Sequence, residues 1–522
     1  MSLNELVDRL KAWEQGAPLP TTETLPFPRV PDAERLVLAF VRMGGESVPW
    51  GVAIGRPDGA PRVFTAPDPR NRDAHAELVR AFSAELLAHV GHPRYCDDGA
   101  AGNAVNERPF PTQALRLRQL WLPGATHVEM LHLLDYRYTL AATGDDASLK
   151  TMRAFGRAAG WLFRESTRPG QVRVHDATAR LRGAWVFPSE PARQSHLGYL
   201  LAWLGEGSGA EREARARVAE RCSVGVTLSP EFERDTLEPL VRAFHDATGA
   251  LRDEAAKAIH AALSPELTAR WTLTVQCLRA LDADPRAQNP QLGPVLDLGA
   301  EECHFQYWRH ETQGLREDLS PEERRSLGSH PETDFSPARA AARYFQHLHA
   351  YEVASNELVH GDRVLLERSL DAGDGFTGTV TAVGRENNAR SGPVRWTIQC
   401  PPDESLRLRE ESKVCLVGAR KRAGAIVSVE PRDDARVIVV ELDGGLTKRA
   451  EPSVPDADDG AWVGREVTFL DRGAVGISQR KSMFVRSADG PGAWLTHAAP
   501  LPEPSPAGLV RPDLVELVKG LQ

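Results

Sequence analysis

The chain has 522 residues, 41% hydrophobic and 26% charged, which is more than one core normally organises and predicts roughly two to four folded domains. A formal net charge of −9 excludes a uniformly basic coat, so any nucleic-acid surface must be local. No apolar run reaches the about 20 residues that span a bilayer, and the longest, "HLGYLLAWLG", falls far short, so no membrane partner is expected.

The opening "MSLNELVDRLKAWEQG" has an amphipathic helix pattern without the apolar stretch of a signal peptide. Six cysteines (Cys96, Cys222, Cys277, Cys303, Cys400 and Cys415) are scattered singly with no CxxC pair. Reduced thiols and a cytoplasmic location are expected from that usage. The Ala-, Arg-, Gly- and Pro-rich composition is of the kind a GC-rich bacterial genome encodes.

Residues 34–66 read as three strands, with "GRPDGAP" as the turn before the third. Residues 71–90 place Leu78, Phe82, Leu86 and Val90 at helical spacing. "QALRLRQLWL" reads as a fourth strand and "THVEMLHLLDYRYTLA" as a helix, so residues 1–144 form an α+β unit.

Residues 145–359 read as a helical domain. Gly156 and Gly160, four apart, permit a close helix approach, and Ser189 with Pro191 marks a helix start before "HLGYLLAWL". "GAEREARARVAERC" reads as a polar helix, and two more fall in 230–283. Ser336 and Pro337 open a last helix over 336–359, with Tyr344, Phe345, Leu348 and Tyr351 on one stripe.

From His360 the period changes to two, and an internal repeat emerges. One copy spans 360–402 and begins with a strand at "GDRVLLERS"; a second spans 411–445; a less regular third spans 464–487. Gly378 and Gly424 occupy matching positions. Residues 360–498 therefore read as tandem small β-barrels, followed by a Pro-rich linker and terminal helix at 499–522. The expected fold class is α+β multidomain: an N-terminal α+β unit, a helical middle and C-terminal tandem barrels.

No GxxxxGK[ST], GxGxxG or GxSxG motif occurs. Asp403 with Glu411-x-Lys413 spells a nuclease-like pattern, in which an acid and an E-x-K on adjacent strands hold a metal and activate water. The repeat explains that spacing without chemistry. Cys303, His304 and His310 lack a second cluster, although His347 and His349 are within the same region. No catalytic residue, metal or cofactor is assigned.

Basic clusters stand at predicted turns of the β region: Arg420-Lys421-Arg422, Lys448-Arg449, and Arg480-Lys481 with Arg486. Small barrels bind single strands along basic, aromatic-lined grooves, and Trp396, Phe469, Phe484 and Trp494 are available as stacking faces. DNA or RNA contact is expected at Arg420, Lys421, Arg422, Lys448, Arg449, Arg480 and Lys481.

The element order of residues 1–144 resembles an RNase H-like fold. Active members carry an Asp on the first strand to bind metal, whereas "RLVLAFVRM" has no acid. Glu77, Glu85 and Asp135 are the acids at later places. The resemblance implies a degenerate site and a binding or scaffold role. The segments "GDRVLLERS…GTVTAVG", "VCLVGARKRAGAIVSVE" and "WVGREVTFLD…ISQRKSMFVR" resemble the accessory, non-motor region of bacterial superfamily-one helicases of the nonsense-decay type. That likeness implies a non-enzymatic, nucleic-acid-associated accessory component of a bacterial multi-protein system, such as antiviral defence, acting with a separate helicase or nuclease. Two other readings stay open: a protein-interaction scaffold without nucleic-acid contact, and a divergent metal-dependent nuclease on Asp403, Glu411 and Lys413.

Overall fold

The computed structural model describes residues 3–90, 118–138, 147–167, 173–288, 359–385, 393–442 and 460–471, apart from residues 24, 26–28, 45–47, 69, 403–404 and 433. Three antiparallel strands follow one another where the apolar runs place them: β1 (Arg35–Arg42), β2 (Pro49–Gly55) and β3 (Arg62–Thr65). Then come α2 (Arg72–Val90), β4 (Gln119–Leu122), α3 (Ala125–Tyr138), α4 (Ala147–Ser166) and β5 (Val174–Asp176); α1 (Leu3–Gln15) precedes them all. The sheet order is β3-β2-β1-β4-β5, with β4 parallel to β1 and β5 parallel to β4.

Helices cover both faces of this sheet, which is why β1 and β2 are apolar at nearly every position rather than at every second one. Leu36, Leu38 and Phe40 pack on Phe82, Leu131, Leu134 and Phe155 of α2, α3 and α4. Val37, Ala39, Val41 and Trp121 pack in a second core with α5 (Ala177–Ala184), α6 (Leu197–Leu204) and α9 (Ala250–Ala283). Between α6 and α9 lie α7 (Gly209–Ala219) and α8 (Glu238–Asp246). The α3–α4 approach expected from the glycines is seen at Gly160, where a Cβ would collide with the Asp135 carboxylate.

Two expectations for this region are corrected. The chain does not divide near residue 144: β5 lies in the stretch read as helical, yet pairs with β4, and α9 packs across β1 and β2. A three-residue strand offers too few positions for a period-two signal. Helix α6 is capped by the His196 side chain, which accepts from Tyr199 N–H, and not by Ser189, which is buried upstream of a 3-10 turn.

The C-terminal strands form one closed barrel among the described residues, not barrels in tandem. Its strands are β6 (Gly375–Arg385), β7 (Val394–Cys400), β8 (Lys413–Leu416), β9 (Ala419–Pro431), β10 (Arg436–Leu442) and β11 (Glu466–Asp471), in the order β8-β9-β10-β7-β6-β11 with all neighbours antiparallel. The repeat survives as a pseudo-two-fold axis. Gly424 on β9 faces Val414, and Gly378 on β6 faces Val467. A bulge follows each glycine, at Ile426/Ser428 and at Val380/Ala382. Each copy supplies three strands with two open edges, and only pairing β10 with β7 and β8 with β11 removes those edges.

The repeat is also permuted. "GDRVLLERS", expected as the leading strand of the first copy, is helix α10 (Arg363–Asp371). Asp362 caps it by accepting from Leu365 N–H, and Leu366 and Leu370 fall one turn apart. The vacant strand position beside β6 is filled from the other end of the chain by β11.

Candidate functional site

In open α/β sheets, ligands bind beyond the carboxyl ends of the parallel strands. Here that end lies at Arg42, Leu122 and Asp176. Strand β4 pairs with β1 only from Arg35 to Val37 and turns at Pro123–Gly124 into α3, while β1 runs on to Arg42. The edge of β1 left open by that turn is taken by residues 223–228. Arg42 N–H donates to the Val226 carbonyl at 2.7 Å, and Arg42 bridges to Thr227.

Two buried side chains hold this segment in place. His127 Nδ1 accepts from Phe40 N–H at 3.1 Å, and its Nε2 meets the Val224 carbonyl at 2.9 Å, which fixes the Nε2–H tautomer. Burial, joined by the nearby Arg270 guanidinium and opposed by the Val224 hydrogen bond, pushes His127 down to about 3. Arg270, fully buried on α9, donates to the carbonyls of Gly225 (2.8 Å) and Thr227 (3.2 Å) and pairs with Glu266. The carboxyl end of β1 is therefore covered by the segment around Val226 and Thr227. Asp176, at the end of β5, is occupied as the N-cap of α5, and burial raises its pKa.

The acids singled out in the sequence stay apart. Glu77 is exposed on α2, Glu85 pairs with Arg62 at 3.3 Å, and Asp135 pairs with Arg164 at 3.2 Å. Among the described residues no three His, Cys, Asp or Glu side chains come together as a metal site. A separate buried pair, Tyr138 hydroxyl to His75 Nδ1, joins α3 to α2; burial pushes His75 down to about 3 and Tyr138 up to about 12.

The barrel gathers a second set of groups. The hairpin tip between β8 and β9 is Val417–Gly418, with Gly418 at φ 80°, so the basic triplet is not the turn itself. Ala419 pairs with Leu416 and Ala423 with Cys415, so the register between β8 and β9 shifts across Arg420, Lys421 and Arg422. Arg422 is buried at 7% exposure, with its guanidinium 5.1 Å from the Trp462 ring centroid. Arg465, exposed, approaches the same ring at 5.5 Å. Trp462 lies against Trp396 with ring centroids 4.6 Å apart and the rings tilted by 38°, as part of the barrel core.

Trp396 and Phe469 are corrected as stacking faces, since both are fully buried in the barrel core. Their alternating positions in β7 and β11 point inward because the strands close on themselves. The aromatic that does stand beside the basic residues, Trp462, was missed; its signal was the "GAW" turn just before β11. Lys448, Arg449, Arg480, Lys481, Arg486, Phe484 and Trp494 lie outside the described residues, as do Cys303, His304, His310, His347, His349 and Asp403. Glu411 is exposed at φ 70°, its N–H donating to Ile426 at 2.8 Å, and Lys413 opens β8 opposite Ala425. Among the described residues Cys222, Cys277, Cys400 and Cys415 form no disulfide, and no described helix is long and apolar enough to cross a membrane.

The barrel is joined to the N-terminal body through α10. Asp362 Oδ2 accepts from Glu23 N–H at 2.5 Å, Glu23 Oε2 accepts from Arg363 N–H at 3.2 Å, and Arg368 pairs with Asp8 of α1 at 2.7 Å. No protein family, curated protein or solved structure matches this chain.

Proposed function

We propose that the protein is a nucleic-acid-associated, non-enzymatic accessory component that contacts a DNA or RNA backbone through one end of its barrel and works beside a separate helicase or nuclease. The observation that carries this reading is the basic group at the Trp462 end: Arg422 and Arg465 on one indole, with the Arg420–Lys421 bulge next to it in the chain. Guanidinium groups over an aromatic ring are pre-oriented and poorly solvated, which suits phosphate contact. Such contacts position a strand without reading bases.

The N-terminal body fits a degenerate RNase H-like role in this proposal. What supports it is the order β3-β2-β1-β4-β5 with only β2 antiparallel to the rest, together with the segment 223–228 lying across the carboxyl end of β1. The test is a fluorescence-anisotropy titration of the full chain with single- and double-stranded DNA and RNA at low ionic strength. Binding that weakens steeply with salt is expected, and a flat titration for all four probes overturns the reading.

A further inference from the structure

The barrel keeps its rings inside. Phe376 on β6, Trp396 on β7, Phe469 on β11 and Trp462 just before β11 are each at most 6% exposed. They pack as one column. Phe376 stacks on Phe469 with centroids 5.6 Å apart, Phe469 meets Trp396 edge-on at 6.0 Å, and Trp396 lies against Trp462 at 4.6 Å. The barrel has no other Phe, Tyr or Trp among the described residues. The large apolar side chains that it does expose, Val427 at 38% and Val463 at 49%, are aliphatic.

The column ends under positive charge. Arg422 reaches Trp462 from β9, and Arg465 reaches it from beside β6, where Val380 N–H donates to the Arg465 carbonyl at 2.9 Å. In the closed order β8-β9-β10-β7-β6-β11 these two strands stand on opposite walls. The two guanidinium carbons lie 5.1 Å and 5.5 Å from one ring centroid, which bounds their separation at 10.6 Å. Along either strand of a duplex, phosphates advance about 3.4 Å each, so neighbouring phosphates fall within that span at a fixed spacing.

Single-strand sites on small barrels work differently. Bases stack there on exposed aromatic faces, and the stacking offsets the cost of ordering a flexible strand. Rings packed inside a barrel cannot take a base. A duplex arrives with its backbone already ordered and with the charge of both strands, so contacts to phosphate alone can hold it. Resting on the nucleic-acid reading of this end, we propose that its ligand is double-stranded nucleic acid, held by its phosphates with no base stacked on the barrel. Arg465, which is exposed, meets the backbone, and Arg422, which is buried, holds the indole beneath it.

The test titrates the full chain at low ionic strength with four fluorescent probes of equal length: a DNA duplex, an RNA duplex, a single DNA strand, and the same strand without its bases. At least one duplex is expected to bind several-fold more tightly than the single strand, and the tighter duplex names the source as DNA or RNA. The strand without bases is expected to match the ordinary strand. Arg465→Gln is expected to weaken duplex binding several-fold, and Arg465→Lys to restore most of it. A single strand that outbinds both duplexes, a strand that loses affinity with its bases, or duplex binding unchanged by Arg465→Gln overturns the proposal and leaves nucleic-acid binding itself standing. The absence of salt-sensitive binding to all four probes overturns both.

Discussion

Glu23 and Asp362, 339 residues apart, each accept a backbone N–H from the other's segment: Asp362 takes the N–H of Glu23 itself, and Glu23 takes that of Arg363. Asp362 is 1% exposed and its other oxygen caps α10 through Leu365 N–H. One carboxylate thus starts the helix that leads into the barrel and ties it to the N-terminal body. Two acceptor oxygens are needed for the two jobs.

Asp362→Asn and Asp362→Ala separate them. Asparagine is as good a cap as aspartate but brings one acceptor, so Asp362→Asn should cost about 1 kcal/mol, while Asp362→Ala should cost about 2–3 kcal/mol. Urea denaturation of the full chain measures both, and trypsin cleavage at Arg363 and Arg368 should accelerate in the same order. Equal costs for the two variants would show that the shared carboxylate does not serve both bonds.

The pseudo-two-fold barrel rests on two glycines where the strands bend. A Cβ at Gly424 would collide with the Glu441 carbonyl, and one at Gly378 would lie 2.5 Å from the Gln399 carbonyl. Backbone cannot yield as a side-chain tip can, so either Gly→Ala change should cost at least about 2 kcal/mol. Hydrogen exchange at the barrel strands in urea reports its unfolding, since Trp396 and Trp462 are only two of the chain's 11 tryptophans. An unchanged midpoint for Gly424→Ala would contradict the strand geometry.

The glycines were legible in the sequence as a repeated pair, and so was the sheet, because β1 and β2 are long, apolar and bounded by turn residues. Other features were legible only in part. "RVLLERS" reads equally as a strand or a helix over its length; the cap at Asp362 decides for helix, and that cap draws on Glu23, far away in the chain. The single barrel was hidden because the pairing of β10 with β7 and of β8 with β11 is long-range. The basic triplet was visible, but its turn lies earlier, at Val417–Gly418, because the bulge absorbs three residues without disturbing the pattern on either side. The segment over the end of β1 had no local signal at all, since its anchors, His127 and Arg270, act across 97 and 45 residues.

His127 also sets the acid limit. Its folded pKa of about 3 lies below the ordinary 6.5, so the unfolded chain takes up the proton first as pH falls. Stability from His127 is complete above pH 6.5 and is lost below it, at about 1.4 kcal/mol per pH unit, until the folded state itself protonates near pH 3. His75 follows the same sign over the same window. His127→Asn keeps an acceptor for Phe40 N–H and loses the Val224 bond, so it should cost about 1–2 kcal/mol at pH 8. Between pH 6 and 4 its stability should fall less steeply than that of the parent, by about 1.4 kcal/mol per unit. Parallel pH profiles in urea would rule out His127 as the titrating group.

The basic bulge divides into residues with different expected effects. Arg422 is buried against Trp462, so Arg422→Ala removes packing and a cation–ring contact, and should lower barrel stability by about 1–2 kcal/mol in urea. Arg420 and Lys421 fall where the register between β8 and β9 shifts. Arg420→Ala with Lys421→Ala should leave the urea midpoint within about 0.5 kcal/mol of the parent. In the anisotropy titration that double variant should weaken all bound nucleic acids alike and reduce the salt slope by about 2. Lost binding with an unchanged salt slope would place the phosphate contacts elsewhere on the chain, and lost stability would make the bulge a structural part of the barrel.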